Sequence, residues 1–173
     1  MKISIKYNLE DNFINFNSFK KINNYDKVIY INCQYKKITK LPELPSLLQK
    51  LICYKCKLKS LPELPKSIDY INCHSNNLSL LPTLPNSLEH LLCSNNKLTL
   101  LPKLSNSIHI LWCSNNNLSE LPKLPNSLET LICCDNQLTL LPELPKNIKS
   151  LMCSNNKFIK NINYKYLEQF IYL

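Results

Sequence analysis

Leu81-Pro82-Thr83-Leu84-Pro85-Asn86-Ser87-Leu88-Glu89-His90-Leu91-Leu92-Cys93-Ser94-Asn95-Asn96-Lys97-Leu98-Thr99-Leu100 is one unit of a 20-residue repeat, and its two halves favour different backbones. In the second half Leu91 and Cys93 alternate with Leu92 and Ser94, so one pair faces inward and the other outward, as in a half-buried strand. In the first half Pro82 and Pro85 fix φ, remove two backbone donors and push the leucines before them out of helical space. An extended or polyproline-like connection is expected there, with little helix.

Cys33, Cys53, Cys73, Cys93, Cys113, Cys133 and Cys153 keep the 20-residue period without a slip, and so do Pro42, Pro62, Pro82, Pro102, Pro122 and Pro142. A fixed period of this length marks a solenoid. One coil buries about six apolar side chains at roughly 1.5–3 kcal/mol each, against about 1–2 kcal/mol of backbone entropy for every residue it orders. A single coil therefore cannot fold alone, and stacking supplies the missing burial.

Residues 88–98 fit Leu-x-x-Leu-x-Cys-x-x-Asn-x-Leu, which resembles the most regular segment of the leucine-rich repeat family. The resemblance implies a short parallel strand on the concave side of a curved solenoid. It also implies that Asn76, Asn96, Asn116, Asn136 and Asn156 bond the backbone of neighbouring turns. The second coil has Cys56 in this place, a residue the family pattern accepts. The Leu-Pro-x-Leu-Pro segments and short period resemble the repeats of bacterial secreted effectors of the YopM and IpaH kind. The cysteine column and the lysine- and asparagine-rich bias resemble leucine-rich repeat proteins of giant DNA viruses such as mimivirus. These likenesses cover residues 21 to 173.

The expected organisation is an N-terminal cap over residues 1–20, seven repeats over 21–160 with 21–40 degenerate, and a capping half-repeat over 161–173. In the degenerate coil Val28, Ile31, Cys33 and Ile38 keep the inward frame, and Phe13, Phe16 and Phe19 are expected to cover its open edge. At the other end Tyr166–Leu173 aligns with the strand segment, with Tyr172 in the cysteine position, which gives eight parallel strands. The opening residues Met1–Tyr7 alternate apolar and polar without the continuous apolar run of a secretion signal, and no stretch approaches a membrane span. A soluble protein in a reducing, cytoplasmic compartment is expected.

Nine cysteines invite disulfide, metal and redox readings. Side chains of in-register parallel strands point the same way, which suits neither a disulfide nor a converging metal site. The thiols are read as small apolar core fillers. Cys53-Tyr54-Lys55-Cys56 has the CxxC spacing, but both cysteines occupy inward repeat positions. Cys133-Cys134-Asp135 matches the Cys-x-Asp motif of some effector ubiquitin ligases yet lies within a repeat. His74, His90 and His109 lack a partnered nucleophile, and a chain without glycine has no ordinary phosphate loop. No enzyme activity and no cofactor are expected.

The outward positions say more. The residue before each column cysteine runs Asn32, Ile52, Asn72, Leu92, Trp112, Ile132, Met152, with Ile171 on the last strand. Tyr30, Tyr70, His90 and Ile110 stand on one side of that stripe, and Tyr54, His74 and Cys134 on the other. Contiguous exposed apolar surface with Trp and Tyr anchors marks a contact with a protein partner or a second copy. The expected contacts are Ile52, Tyr54, Tyr70, His74, His90, Leu92, Ile110, Trp112, Ile132 and Met152. The bland alternative is stacking along the sheet.

The formal charge of +9 is unevenly placed: residues 1–60 hold 12 lysines and 4 acids, a balance of +8, leaving +1 for the remainder. Lys36, Lys37, Lys40, Lys50, Lys55, Lys57 and Lys59, interleaved with Tyr25, Tyr30, Tyr35 and Tyr54, make nucleic-acid binding one alternative function. Arginine is wholly absent, which weighs against it. Substrate recognition for a separate enzyme is another alternative.

Overall fold

The computed structural model describes residues 3–35 and 37–158. It contains one nine-stranded sheet in the order β2-β1-β3-β4-β5-β6-β7-β8-β9. β1 (Ile3–Lys6) and β2 (Ile14–Phe16) form an antiparallel hairpin. β3 (Tyr30–Asn32), β4 (Lys50–Ile52), β5 (Tyr70–Asn72), β6 (His90–Leu92), β7 (Ile110–Trp112), β8 (Thr130–Ile132) and β9 (Ser150–Met152) are parallel and mutually in register. Two single-turn 3-10 helices, Phe19–Lys21 and Tyr25–Lys27, are the only helices among the described residues. The solenoid with extended convex segments is as the proline pairs imply.

Each coil turns the same repeat positions toward the core, most fully in the middle of the array. In the fourth coil these are Leu81, Leu84, Leu88, Leu91, Cys93 and Leu98, which continue through neighbouring coils as one core. Where the chain leaves the strand, Asn96 donates from Nδ2 to the carbonyls of Cys73, Cys93 and Ser94 at 3.1, 3.0 and 3.3 Å. Its Oδ1 accepts from Leu78 N–H at 3.0 Å. The asparagine thus closes the turn of its own coil and of the one before it, and buried backbone groups that a turn would orphan are met. The Cys56 thiol, on the same site, donates to the Cys33 carbonyl at 2.9 Å. A second column has no counterpart in the expectations: Ser67, Ser87 and Ser127 donate to the carbonyls of Leu48, Ile68 and Ile108 in the preceding coil at 2.8, 2.7 and 2.8 Å.

The turn after each strand places a residue of one repeat position in the left-handed region, Tyr35, Lys55, Ser75, Asn95, Asn115, Asp135 and Asn155 with φ between 53° and 57°, and the second coil adds Lys57 with φ 71°. This conformation costs an ordinary L-residue roughly 1–2 kcal/mol, and Asn and Asp bear it best. The chain has no glycine to put there.

The expectation for the N-terminal end changes. The N-terminal edge is closed by β1, which pairs antiparallel with β3 and buries Ile3 and Ile5 completely. Phe16 and Phe19 pack on the core, but Phe13 does not: it is exposed and lies edge-on to Tyr30, with ring centroids 5.1 Å apart. The alternation of Ile3 and Ile5 with Ser4 and Lys6 is the strand signal that places them inward. The expected C-terminal half-repeat, including Ile171 and Tyr172, and Lys36 lie outside the described residues.

Candidate functional site

Strands only three residues long leave two outward positions each, so the concave face is built of columns that register fixes. One column runs Tyr30, Lys50, Tyr70, His90, Ile110, Thr130, Ser150, and the next Asn32, Ile52, Asn72, Leu92, Trp112, Ile132, Met152. A third, Gln34, Tyr54, His74, Ser94, Ser114, Cys134, Ser154, follows past the strand ends.

Register divides the apolar stripe in two. Leu92, Trp112, Ile132 and Met152 sit on consecutive strands, whereas Asn72 separates them from Ile52. Within the run, Trp112 is 40% and Met152 44% exposed and Ile132 is half-buried. Leu92 is 9% exposed, so it supports the indole beside it more than it offers surface. Ile110 is half-buried and flanks Trp112 on its own strand. Cys134, expected to face outward, is buried among the chain's own atoms, as is Ser114 in the same column. Leu80, Leu100 and Leu140 are exposed on the turns leading into the following coils, a row the repeat shows but sequence reasoning passed over.

The N-terminal half of the face is aromatic and basic instead. Tyr54 stacks on His74 with centroids 4.4 Å apart and planes 15° apart, and Tyr35 meets Tyr54 edge-on at 5.1 Å. Lys55 Nζ lies 5.2 Å above the Tyr35 ring. Tyr70 and His90 are tilted neighbours at 5.6 Å. Burial, then the Lys55 charge, hold the His74 imidazole below its ordinary pKa, and His74 Nδ1 lies 3.0 Å from Ser75 Oγ. The rim before the strands carries Asp69, Glu89 and Glu129. Burial raises the Asp69 carboxyl, while Glu129 is lowered by its hydrogen bond from Lys149 at 2.8 Å.

The thiols at the heart of the cysteine column are poor nucleophiles. Burial pushes Cys73 and Cys113 up to about 12 and drives Cys53 and Cys93 well above the usual range. A thiol so shifted stays protonated at neutral pH. Among the described residues no three Cys, His, Asp or Glu side chains converge as a metal site would require.

The repeating strand, the asparagine column and the cysteine column together settle the family, and solved structures agree. The chain is a leucine-rich repeat protein. It is similar to YopM from Yersinia enterocolitica, with 38% identity over 70% of this chain and 27% of that one, at a TM-score of 0.69. A Shigella effector leucine-rich repeat domain shares 32% identity over 75% of this chain and 60% of its own, at 0.72. YopM from Yersinia pestis shares 32% over 74% of this chain and 43% of its own, at 0.62. The leucine-rich repeat chain thus spans three-fifths or less of the length of these structures. No family model and no curated protein matches it. The giant-virus likeness rests on the sequence alone. Among the described residues of this leucine-rich repeat protein, no helix is long and apolar enough to cross a membrane.

Proposed function

We propose that this leucine-rich repeat protein is a non-catalytic scaffold that binds a protein partner through its concave face, with Trp112 as anchor and Ile110, Ile132 and Met152 around it. The supporting observation is the exposure of Trp112 and Met152 on a continuous apolar run over four adjacent strands. A stripe serving only to stack along the sheet would present less of an indole to water. Ile52, Tyr54, Tyr70, His74 and His90 belong to the same face but stand outside this run. Leu92 is retained as a support, not as a contact. Where the partner is an enzyme's substrate, the same face serves recognition for that enzyme.

The test is Trp112→Ala combined with Ile132→Ser, compared with the parent protein by light scattering and by affinity capture. Loss of a dimer in the first assay identifies a second copy as the partner, and loss of a captured protein in the second identifies another chain. Retention of every complex by the double variant would sink the proposal.

A further inference from the structure

The basic half of the concave face is distinct from the Trp112 run in composition, charge and turn chemistry. The only ion pair within 4.0 Å among the described residues is Lys149 with Glu129, far along the array, so Lys37, Lys50, Lys55, Lys57 and Lys59 have no such partner. Lys50 stands in register between Tyr30 and Tyr70, and its nearest influence is on Asp69, one coil on. Lys55 is held over Tyr35 and lowers the His74 pKa after burial, so positive charge gathers here, offset at Lys50 by the Asp69 carboxylate.

Residue choice at the turns points the same way. The left-handed position is Asn or Asp from coil four onward, but Tyr35 and Lys55 occupy it in the first two coils. Both types fit that conformation worse than asparagine does. A residue kept where the backbone disfavours it is a sign of use.

We infer that the N-terminal half of the concave face is a separate site for an acidic peptide segment, with Tyr54 and His74 as its floor and Lys50, Lys55 and Lys57 supplying the charge. The inference rests on the reading of the concave face as a protein-binding surface, and it assigns the chemistry of one part of the partner. Tyrosine hydroxyls and lysine ammonium groups donate to carboxylates. Nucleic acid fits less well, because bases need open ring faces and here Tyr54, His74 and Tyr35 already pack on one another, with Lys55 above the last.

The probe is fluorescently labelled octaglutamate, titrated by anisotropy against the full chain at low ionic strength. Lys55→Gln with Lys57→Gln should weaken binding about tenfold. Lys123→Gln with Lys146→Gln on the convex side removes the same charge and should leave binding unchanged. Trp112→Ala should also leave it unchanged, so failure of the Trp112 site and failure of this one are told apart. On saturation the His74 pKa, followed by its ring-proton resonances, should rise, because a carboxylate offsets Lys55. Tyr54 and Lys55 face it from the preceding coil and uncharged Ser94 follows in the next. Equal weakening by the convex pair, an unmoved His74, loss on Trp112→Ala, or an oligouridine that binds more tightly through the same lysines would each overturn the inference.

Discussion

Coils two and three and coils five and six share a backbone frame and differ in nearly everything they show to solvent. Leu51 and Ile71 lie buried in register as Leu111 and Leu131 do, and buried cysteines follow each of them two residues on. At the outward positions Lys50, Ile52, Tyr54 and Lys55 and then Tyr70, Asn72, His74 and Ser75 have as counterparts Ile110, Trp112, Asn115 and the buried Ser114, and then Thr130, Ile132, Asp135 and the buried Cys134. Because inward and outward residues alternate, the frame can be held constant while the face is rewritten. The frame itself is less regular in the first coils, where Cys56 replaces the asparagine and Lys55 the αL asparagine. Tyr35 and Lys55 there stand in a backbone conformation that asparagine bears better.

The largest expected effect concerns what both halves share. A thiol whose folded pKa is raised contributes stability fully below its unfolded value of about 9 and loses it as pH rises toward about 12, the value for Cys73 and Cys113. At pH 10 each such thiol forfeits on the order of 1 kcal/mol. Cys53 and Cys93, also completely buried and raised by that burial, add to the loss in the same direction. Base unfolding near pH 10 is expected, as one transition by both Trp112 fluorescence and circular dichroism, and made shallower by Cys93→Ala. Two separate transitions would break the idea of a common frame.

Next in size, Asn116→Ala leaves Leu98 N–H without its acceptor and takes one of two bonds from each of the carbonyls of Cys93, Cys113 and Ser114, which Asn96, Asn136 and Asn95 still hold. A loss of about 3 kcal/mol in urea unfolding is expected. Cys56→Ala removes a thiol, a weaker hydrogen-bonding group than an amide, and should cost about 1 kcal/mol. Equal losses would erase the distinction between the two halves. The smallest effect has the opposite sign: Lys55→Asn should stabilise by roughly 1 kcal/mol by easing the left-handed turn, while octaglutamate binding weakens.

The frame was legible because leucine, cysteine, asparagine and proline each recur at one position of the period. The asparagine bonds came from family likeness and hold in detail. What stayed hidden depends on neighbours one coil away, which periodicity does not report. Cys134 and Leu92 are buried although they stand at outward positions, and Asn72 cuts a stripe that a tally of apolar residues leaves whole. The left-handed turns gave no sign because no glycine marks them. The ring stack of Tyr54 and His74 joins residues 20 apart that were named separately.

The asparagine bonds have a direction. Leu58, Leu78, Leu98, Leu118 and Leu138 each give their N–H to an asparagine 18 residues later, never to one earlier. During synthesis a coil therefore emerges from the ribosome with its turn unfinished, and only the coil made after it can complete the bonding. The growing end is always the least settled part of the molecule, and a chain stopped early leaves its last complete coil without that bond.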